Sequence, residues 1–598
     1  MNYFDNLQFH EIINRVNNSF VDNNGRDIKL GILRNITVDN YIPLIKYLLK
    51  KENYKVELHQ GDFDMIFQEI LVSNSSMIKF APEILLVFFY IESISPSICN
   101  RFIELSEQEL NSEKDQLLSH IERLFEEVNR NFSAKLIFHL FELPSNPDYG
   151  ISETQNIFGQ RQIIDQINES IIALSKKYKD IYFVDLNIIK ERLGIENYYD
   201  KRYWYIGKAP YSLFALKEIA KEHFKIIKSL DGKIKKCLVL DCDNTLWGGI
   251  IGEDGFENIK IGKTYPGNMF LDFQRQILNL YNKGIILAIN SKNNESDILE
   301  VLEKHPDMLL RRKHFACIYS NWDNKVNNIK KIALDLNLGL DSIVFVDDSE
   351  FECNLVKENL KEITVINLPK ESFRYAEIIS NCGLFDKLQY TNEDKKRGEL
   401  YRVQVERKKH QDSFTDLNSY YKSLEMELKI ELVNEFSISR VSQLTQRTNQ
   451  FNLTTKRYSV DNIKYFMKSI RHDVLVLSMN DKFGDLGIVG VQILEYEDSD
   501  EAYIDSFMMS CRVIGRGVEN AFLRAGIEKC FKKNYKVVLA SYIETKKNNL
   551  VTEFYSSNGF TLISEEGNVK TYKLSSLDKL IPFENNFKEI IKIDGLYE

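Results

Sequence analysis

Apolar and polar positions along the first 230 residues alternate between two periods. Short apolar runs at 27–33, 55–59, 84–91, 135–140 and 181–186 have the length and β-branched content of strands. Between them, residues 41–49, 115–129 and 161–177 repeat apolar side chains at helical spacing. Alternation of this kind predicts a doubly wound parallel sheet. The pattern resumes over 231–372, with buried-strand runs at 237–240, 285–291 and 342–348 and a helix from Lys325 through Leu336. Residues 373–430 carry no strand pattern and are strongly charged. Over 431–598, strands at 474–479, 488–496 and 502–509, a helix at 511–532, a strand at 536–541 and a second helix near 549–557 predict an α+β unit. The expected architecture is α/β multidomain: a doubly wound unit (1–230), a Rossmann-like unit (231–372), a charged helical linker (373–430) and an α+β unit (431–598).

A chain of 598 residues has room for three or four domains at about 150 residues each. Its 43% hydrophobic and 12% aromatic content supplies several cores. No apolar run approaches the ~18 residues of a membrane span, and the first twenty residues lack the basic and apolar regions of a signal peptide. Eight scattered cysteines without a CxxC spacing read as reduced thiols. These features predict a cytoplasmic protein with no membrane partner. A net charge of −9 argues against nucleic acid as the main partner.

Candidate chemistry gathers at 236–249, KCLVLDCDNTLWGG. Its apolar run breaks off into Asp241, Asp243 and Thr245. The carboxyl end of a buried parallel strand is where open α/β sheets place ligands. Two buried carboxylates side by side are costly without a cation, and hard oxygen ligands favour Mg²⁺. Further on, a strand ends at Ser291, Lys325 opens a helix, and SIVFVDD ends in Asp347-Asp348.

That ordered set resembles the haloacid dehalogenase (HAD) phosphotransferase superfamily. The resemblance implies Asp241 as nucleophile and Asp243 as general acid–base. It also implies Thr245, Ser291 and Lys325 as phosphate-binding groups, and a Mg²⁺ site from Asp241, the backbone carbonyl of Asp243, Asp347 and Asp348. The short intervals between the motifs leave no room for a cap domain, so another domain or a partner is expected to cover the site.

The N-terminal unit is similar to SGNH-hydrolase-type domains. Gly31-Ile32-Leu33-Arg34-Asn35 lacks their Gly-Asp-Ser signature, and the stretch from Tyr199 to Trp204 has no Asp-x-x-His, so a non-hydrolytic role is expected. In the C-terminal unit, Arg512-x-x-Gly515-x-Gly517 resembles the acyl-CoA-binding signature of the GNAT fold, in which backbone N–H groups cradle a pyrophosphate. Asn549, Phe554-Tyr555 and Gly559-Phe560 resemble its later motif. The pantetheine-binding residues implied are Arg512, Gly515, Gly517, Asn549 and Tyr555. Cys511, at a helix start beside Arg512, is a candidate catalytic thiol or a small core residue at a strand end. Cys242 should point away from the aspartates by strand alternation. The basic stretch 395–410 is either a solvated helix joining two domains or a docking surface for an acidic partner.

With INSKN, NWDNK, VFVDD, RTNQFNLTTKRY (447–458) and MSCRVIGRG, nearly the whole chain resembles the FkbH-like family of polyketide-type pathways. That resemblance implies an enzyme that takes 1,3-bisphosphoglycerate, removes phosphate and loads a glyceryl unit onto the phosphopantetheine thiol of an acyl carrier protein. Cys353 follows Glu352 where an arginine is usual. Two other classes remain open: a plain HAD phosphatase on a carrier-bound or protein substrate, and a GNAT acyltransferase using acyl-CoA.

Overall fold

The computed structural model describes residues 2–18, 25–155, 158–388, 390, 392–411, 414, 416–448, 450–497, 500–510, 512–545, 548–582 and 586–592. The chain divides into two compact units, Met1–Ile234 with Ser380–Tyr390, and Lys235–Ile379 with Thr391–Glu598.

The first unit is built on five parallel strands, β1 (Arg26–Arg34), β2 (Tyr54–Gln60), β3 (Ile84–Phe88), β4 (Lys135–Leu140) and β5 (Ile181–Asp185), in the order β2-β1-β3-β4-β5. Strand alternation divides their side chains between two cores. Ile84, Leu86 and Phe88 join Tyr41 and Ile219 of the helices Tyr41–Lys51 and Leu213–Leu230. Leu85 and Val87 face Phe125 and Ile167 of the helices Glu107–Asn131 and Gln160–Ser175. Burial on both faces is what a parallel sheet requires.

The second unit holds two sheets. In the first, β6 (Cys237–Leu240), β7 (Ile286–Ser291), β8 (Phe315–Ser320), β9 (Ile343–Asp347) and β10 (Thr364–Asn367) run parallel in the order β10-β9-β6-β7-β8. The second comprises β11 (Glu427–Leu432), β12 (His472–Asp481), β13 (Gly484–Tyr496), β14 (Glu501–Met509), β15 (Val537–Ile543), β16 (Thr561–Glu566), β17 (Val569–Leu574) and β18 (Glu589–Lys592). Their order is β16-β17-β15-β14-β13-β12-β11-β18. Strands β14 and β15 are parallel and joined by the crossover helix Val518–Lys532, whereas β12, β13 and β14 form an antiparallel meander. This mixed sheet is the α+β architecture expected of the C-terminal unit.

Three local expectations change. Residues 373–430 are not free of strand structure, because ELKIEL alternates polar and apolar positions and pairs as β11 with β12 and β18. The helix expected from residue 511 starts at Val518, because Gly515 and Gly517 adopt left-handed φ values of 79° and 78° that break a helical run. Near 549–557 only two 3-10 turns form, Asn549–Val551 and Ser556–Asn558. Their Asn, Ser and Thr side chains offer the backbone local alternatives to a helix.

The basic helix Asn392–Gln411 is neither purely solvated nor a free docking face. It lies against β7, β8 and the helix Gly267–Asn282, and Val405 joins the core of the β6–β9 sheet. Arg407 is buried and donates from Nε and Nη2 to the two carboxylate oxygens of Asp481 on β12, at 2.6 Å each.

Candidate active site

Register alone assembles the first half of the site. Leu240 pairs with both Val346 and Ile289, so the residues that follow leave the sheet at one edge. The backbone N–H of Asp241 donates to the carbonyl of Val346 at 3.0 Å. Carboxylate oxygens of Asp241, Asp347 and Asp348 gather within 4.8 Å of one another. Lys325, buried at the start of the helix Lys325–Asp335, places Nζ 2.9 Å from Asp241 Oδ1 and 2.6 Å from Asp347 Oδ2. The amide of buried Asn290 donates to the Lys325 carbonyl at 3.0 Å and fixes that helix end.

Burial, then the charge of Asp241, pushes Asp347 up to about 7 and Asp348 up to about 6. Burial works against the charge on Lys325, but Asp241 and Asp347 outweigh it and hold the ammonium above its usual range. Three carboxylates against one ammonium leave negative charge in a partly dry site. An all-oxygen donor set with that surplus suits a hard divalent cation.

Asp243 stands apart from this cluster. Its Oδ1 accepts from Trp247 Nε1 at 3.0 Å and from the Ile251 N–H at 3.1 Å, and its Oδ2 accepts from Asn293 Nδ2 at 2.9 Å. Burial raises its pKa and these donors pull it back. With both side-chain oxygens so held, a metal-binding role would fall to its backbone carbonyl, as the resemblance implies. Asn293 also donates to Ser291 Oγ at 3.1 Å, and Ser291 and Thr245 are buried at the same edge.

The cavity above these groups encloses about 510 Å³. At its mouth stand Lys292, which donates to Glu352 at 2.6 Å, and Trp322, which is 73% exposed. Cys353 is buried with Sγ 3.6 Å from the Asp347 carbonyl, and burial pushes its thiol up to about 12, so it fills space where an arginine is usual. Cys242 is fully buried and its thiol is likewise pushed up. Trp247, Asn293 and Lys292 were not among the sequence candidates, although all three lie within or beside the quoted motifs.

At the carboxyl edge of the N-terminal sheet, Asn35 turns back on the chain. Its Oδ1 accepts from the Tyr90 N–H at 2.8 Å and its Nδ2 donates to the Tyr90 carbonyl at 3.1 Å. Asp200 caps a helix by accepting from the Tyr203 N–H at 3.2 Å. Buried His139 and His223 contact each other through Nε2 at 2.8 Å, with Tyr41 against His223. These groups hold the fold together and form no nucleophile–base pair.

In the C-terminal sheet, Arg512 Nε donates to Ser510 Oγ at 3.1 Å. The Gly515 N–H donates to Glu519 Oε1 at 3.3 Å, and the Gly515 carbonyl accepts from Tyr421 at 2.7 Å. Strands β14 and β15 pair only from Glu501 to Ile504. Beyond, residues 451–453 enter the gap: Leu453 N–H donates to Phe507 at 3.1 Å, Met509 N–H to Phe451 at 3.0 Å and Ile543 N–H to Leu453 at 2.8 Å. Asn549 is exposed, and its neighbour Asn548 is the buried one, donating to the carbonyls of Asn452 and Ile543 at 3.0 and 2.9 Å. Tyr555 is buried, and its hydroxyl has no hydrogen-bond partner among the described residues. Cys511 lies outside the described residues.

Residues 29–228 match the family model described as FkbH, N-terminal domain, and residues 236–367 match that of the NLI interacting factor-like phosphatase. A crystal structure of the N-terminal part of the protein BF1531 from Bacteroides fragilis, containing a phosphatase domain complexed with Mg, is 28% identical, with a TM-score of 0.58. It covers 64% of this chain and 100% of its own. The chain resembles FkbH-like proteins. Its C-terminal region also aligns with the ribosomal-protein-S18-alanine N-acetyltransferase from Escherichia coli at 15% identity and a TM-score of 0.21, over 26% of this chain and 97% of the other. Among curated proteins none matches. No described helix is long and apolar enough to cross a membrane.

Proposed function

We propose that the chain is a Mg²⁺-dependent phosphatase of the HAD type coupled to acyl transfer. It takes 1,3-bisphosphoglycerate and loads a glyceryl unit onto the phosphopantetheine thiol of an acyl carrier protein. One observation carries the phosphatase half: Asp241, Asp347 and Asp348 converge with buried Lys325 at one strand edge under an open cavity.

Asp241 attacks the phosphorus of the phosphate ester, forming an aspartyl phosphate as the bond to the leaving oxygen breaks. Asp243 gives that oxygen its proton, a role its raised pKa favours. Water then attacks the aspartyl phosphate, Asp243 takes its proton, and free phosphate and Asp241 are restored. Trp247, Ile251 and Asn293 orient Asp243, while Ser291, Thr245 and Lys325 bind phosphoryl oxygens. Mg²⁺, held by Asp241, Asp347, Asp348 and the Asp243 carbonyl, would neutralise carboxylate charge and polarise the phosphoryl group.

Acyl transfer uses the other phosphate. A thiolate attacks the acyl phosphate carbonyl, a thioester forms, and inorganic phosphate leaves. The thiol is the carrier's own, with Cys511 as a candidate first acceptor on the enzyme. The matches to the FkbH N-terminal domain and to a phosphatase family support this pairing.

A second reading, a phosphatase on a carrier-bound substrate without acyl transfer, is favoured by the internal engagement of the Gly515 N–H. Incubation with 1,3-bisphosphoglycerate, Mg²⁺ and phosphopantetheinylated carrier separates the two. A carrier gaining the mass of one glyceryl unit supports the coupled reaction; phosphate release with an unchanged carrier supports the phosphatase alone. A glyceryl adduct on the Cys511→Ala enzyme itself would clear that thiol of its role.

A further inference from the structure

Gly515 and Gly517 both have left-handed φ values, and the N–H groups of Gly515, Gly517 and Glu519 converge on one carboxyl, a concave arrangement that attracts anions. Glu519, in the first turn of the helix Val518–Lys532, fills it. The Gly515 N–H donates to Glu519 Oε1 at 3.3 Å. Burial pushes this carboxyl up, and the N–H groups of Glu519, Gly515 and Gly517 pull it back. Its second oxygen, Oε2, is buried without a hydrogen-bond partner among the described residues. Arg516, between the glycines, lies 3.6 Å from Asp481, which also holds Arg407.

The neighbouring backbone edge is engaged as well. Beyond Ile504, Phe507 and Met509 of β14 pair with residues 451–453. That pairing leaves an amide-bearing arm no free edge between Phe507 and Met509, so an arm has to approach at the Gly515–Gly517 loop, where an anionic head group would be discriminated.

We infer that Glu519 is a specificity-determining residue that excludes coenzyme A from the C-terminal unit. Its carboxylate engages the loop N–H groups that the resemblance assigns to a pyrophosphate, so the unit takes a pantetheine thiol only on an arm that brings no pyrophosphate to the loop, as on a carrier protein. This rests on the acyl-transfer reading of that unit. A pyrophosphate would have to expel Glu519 or share a half-buried site with a like charge, both unfavourable.

Calorimetric titration of the full chain with coenzyme A tests the role of Glu519. Glu519→Gln keeps an acceptor for the Gly515 N–H without the charge, and Glu519→Ala guards against a Gln that still blocks the loop. The unsubstituted protein should show no saturable binding, and at least one variant should gain affinity of about tenfold or more. Binding to the unsubstituted protein within twofold of the variants would overturn the inference, as would variants that bind no coenzyme A. The acyl-transfer reading fails separately, if the unsubstituted protein loads no carrier; the titration still decides what Glu519 does.

Discussion

Lys325→Met removes the ammonium that touches both Asp241 and Asp347 and leaves a side chain of similar length. The contacts it breaks are 2.9 and 2.6 Å long, and the lysine side chain is only 4% exposed. At an effective dielectric of about 20, each contact amounts to about 6 kcal/mol before desolvation. Removing one partner from a buried ion pair costs about 3–5 kcal/mol net. The orphaned carboxylates respond by holding protons, from an Asp347 already raised to about 7. By differential scanning calorimetry in EDTA, the transition that Mg²⁺ shifts in the unsubstituted protein should fall by about 10 °C in the variant. Saturating Mg²⁺ should then raise the variant's transition more than the unsubstituted protein's, because the cation takes over charge that Lys325 balanced. A metal-free transition within a degree or two of the unsubstituted protein, or an equal response to Mg²⁺, would refute this reasoning.

The raised carboxyls give the metal-free protein a pH dependence of definite sign. A native Asp347 titrating at about 7 binds more protons than its unfolded form, near ~3.9, so metal-free stability should fall as pH rises through that window. Mg²⁺ affinity should rise over the same range, which titrations at pH 5.5 and 7.5 would check. Asn293→Ala takes a donor from Asp243 Oδ2 and should raise the pKa of Asp243 further. The alkaline limb of kcat should therefore move to higher pH, and a profile that stays put would contradict Asp243 as the acid. Arg407→Ala leaves Asp481 buried without its bidentate partner and should cost about 3–5 kcal/mol, read as an earlier calorimetric transition in the second unit.

The gathering of acidic groups at strand ends was legible in the sequence because it depends on local order. An apolar run stopping at Asp241, another at Ser291 and a third at Asp347 fix themselves at one sheet edge once the strands are parallel. What holds Asp243 was not legible. Trp247 reaches it across a local turn, and Asn293 from the loop that follows β7, a contact that exists only after the sheet assembles. Arg407 shows the same limit: a basic run reads as solvated, and only the partner strand reveals that one of its charges is buried against Asp481. In the C-terminal sheet the glycine pattern identified the turn but not its occupant, since Glu519 looks like any acidic residue of a first helical turn. The Asn548–Asn549 pair differs by one position. Only the direction of a 3-10 turn decides which of them is buried.

Phosphorylation of Asp241 tests the central claim most directly. Rapid acid quench with radiolabelled phosphate ester and Mg²⁺, followed by peptide mapping, should place acid-stable, base-labile label on the peptide containing Asp241, and Asp241→Asn should carry none and release no phosphate. Label on another residue, or undiminished phosphate release by Asp241→Asn, would contradict the account.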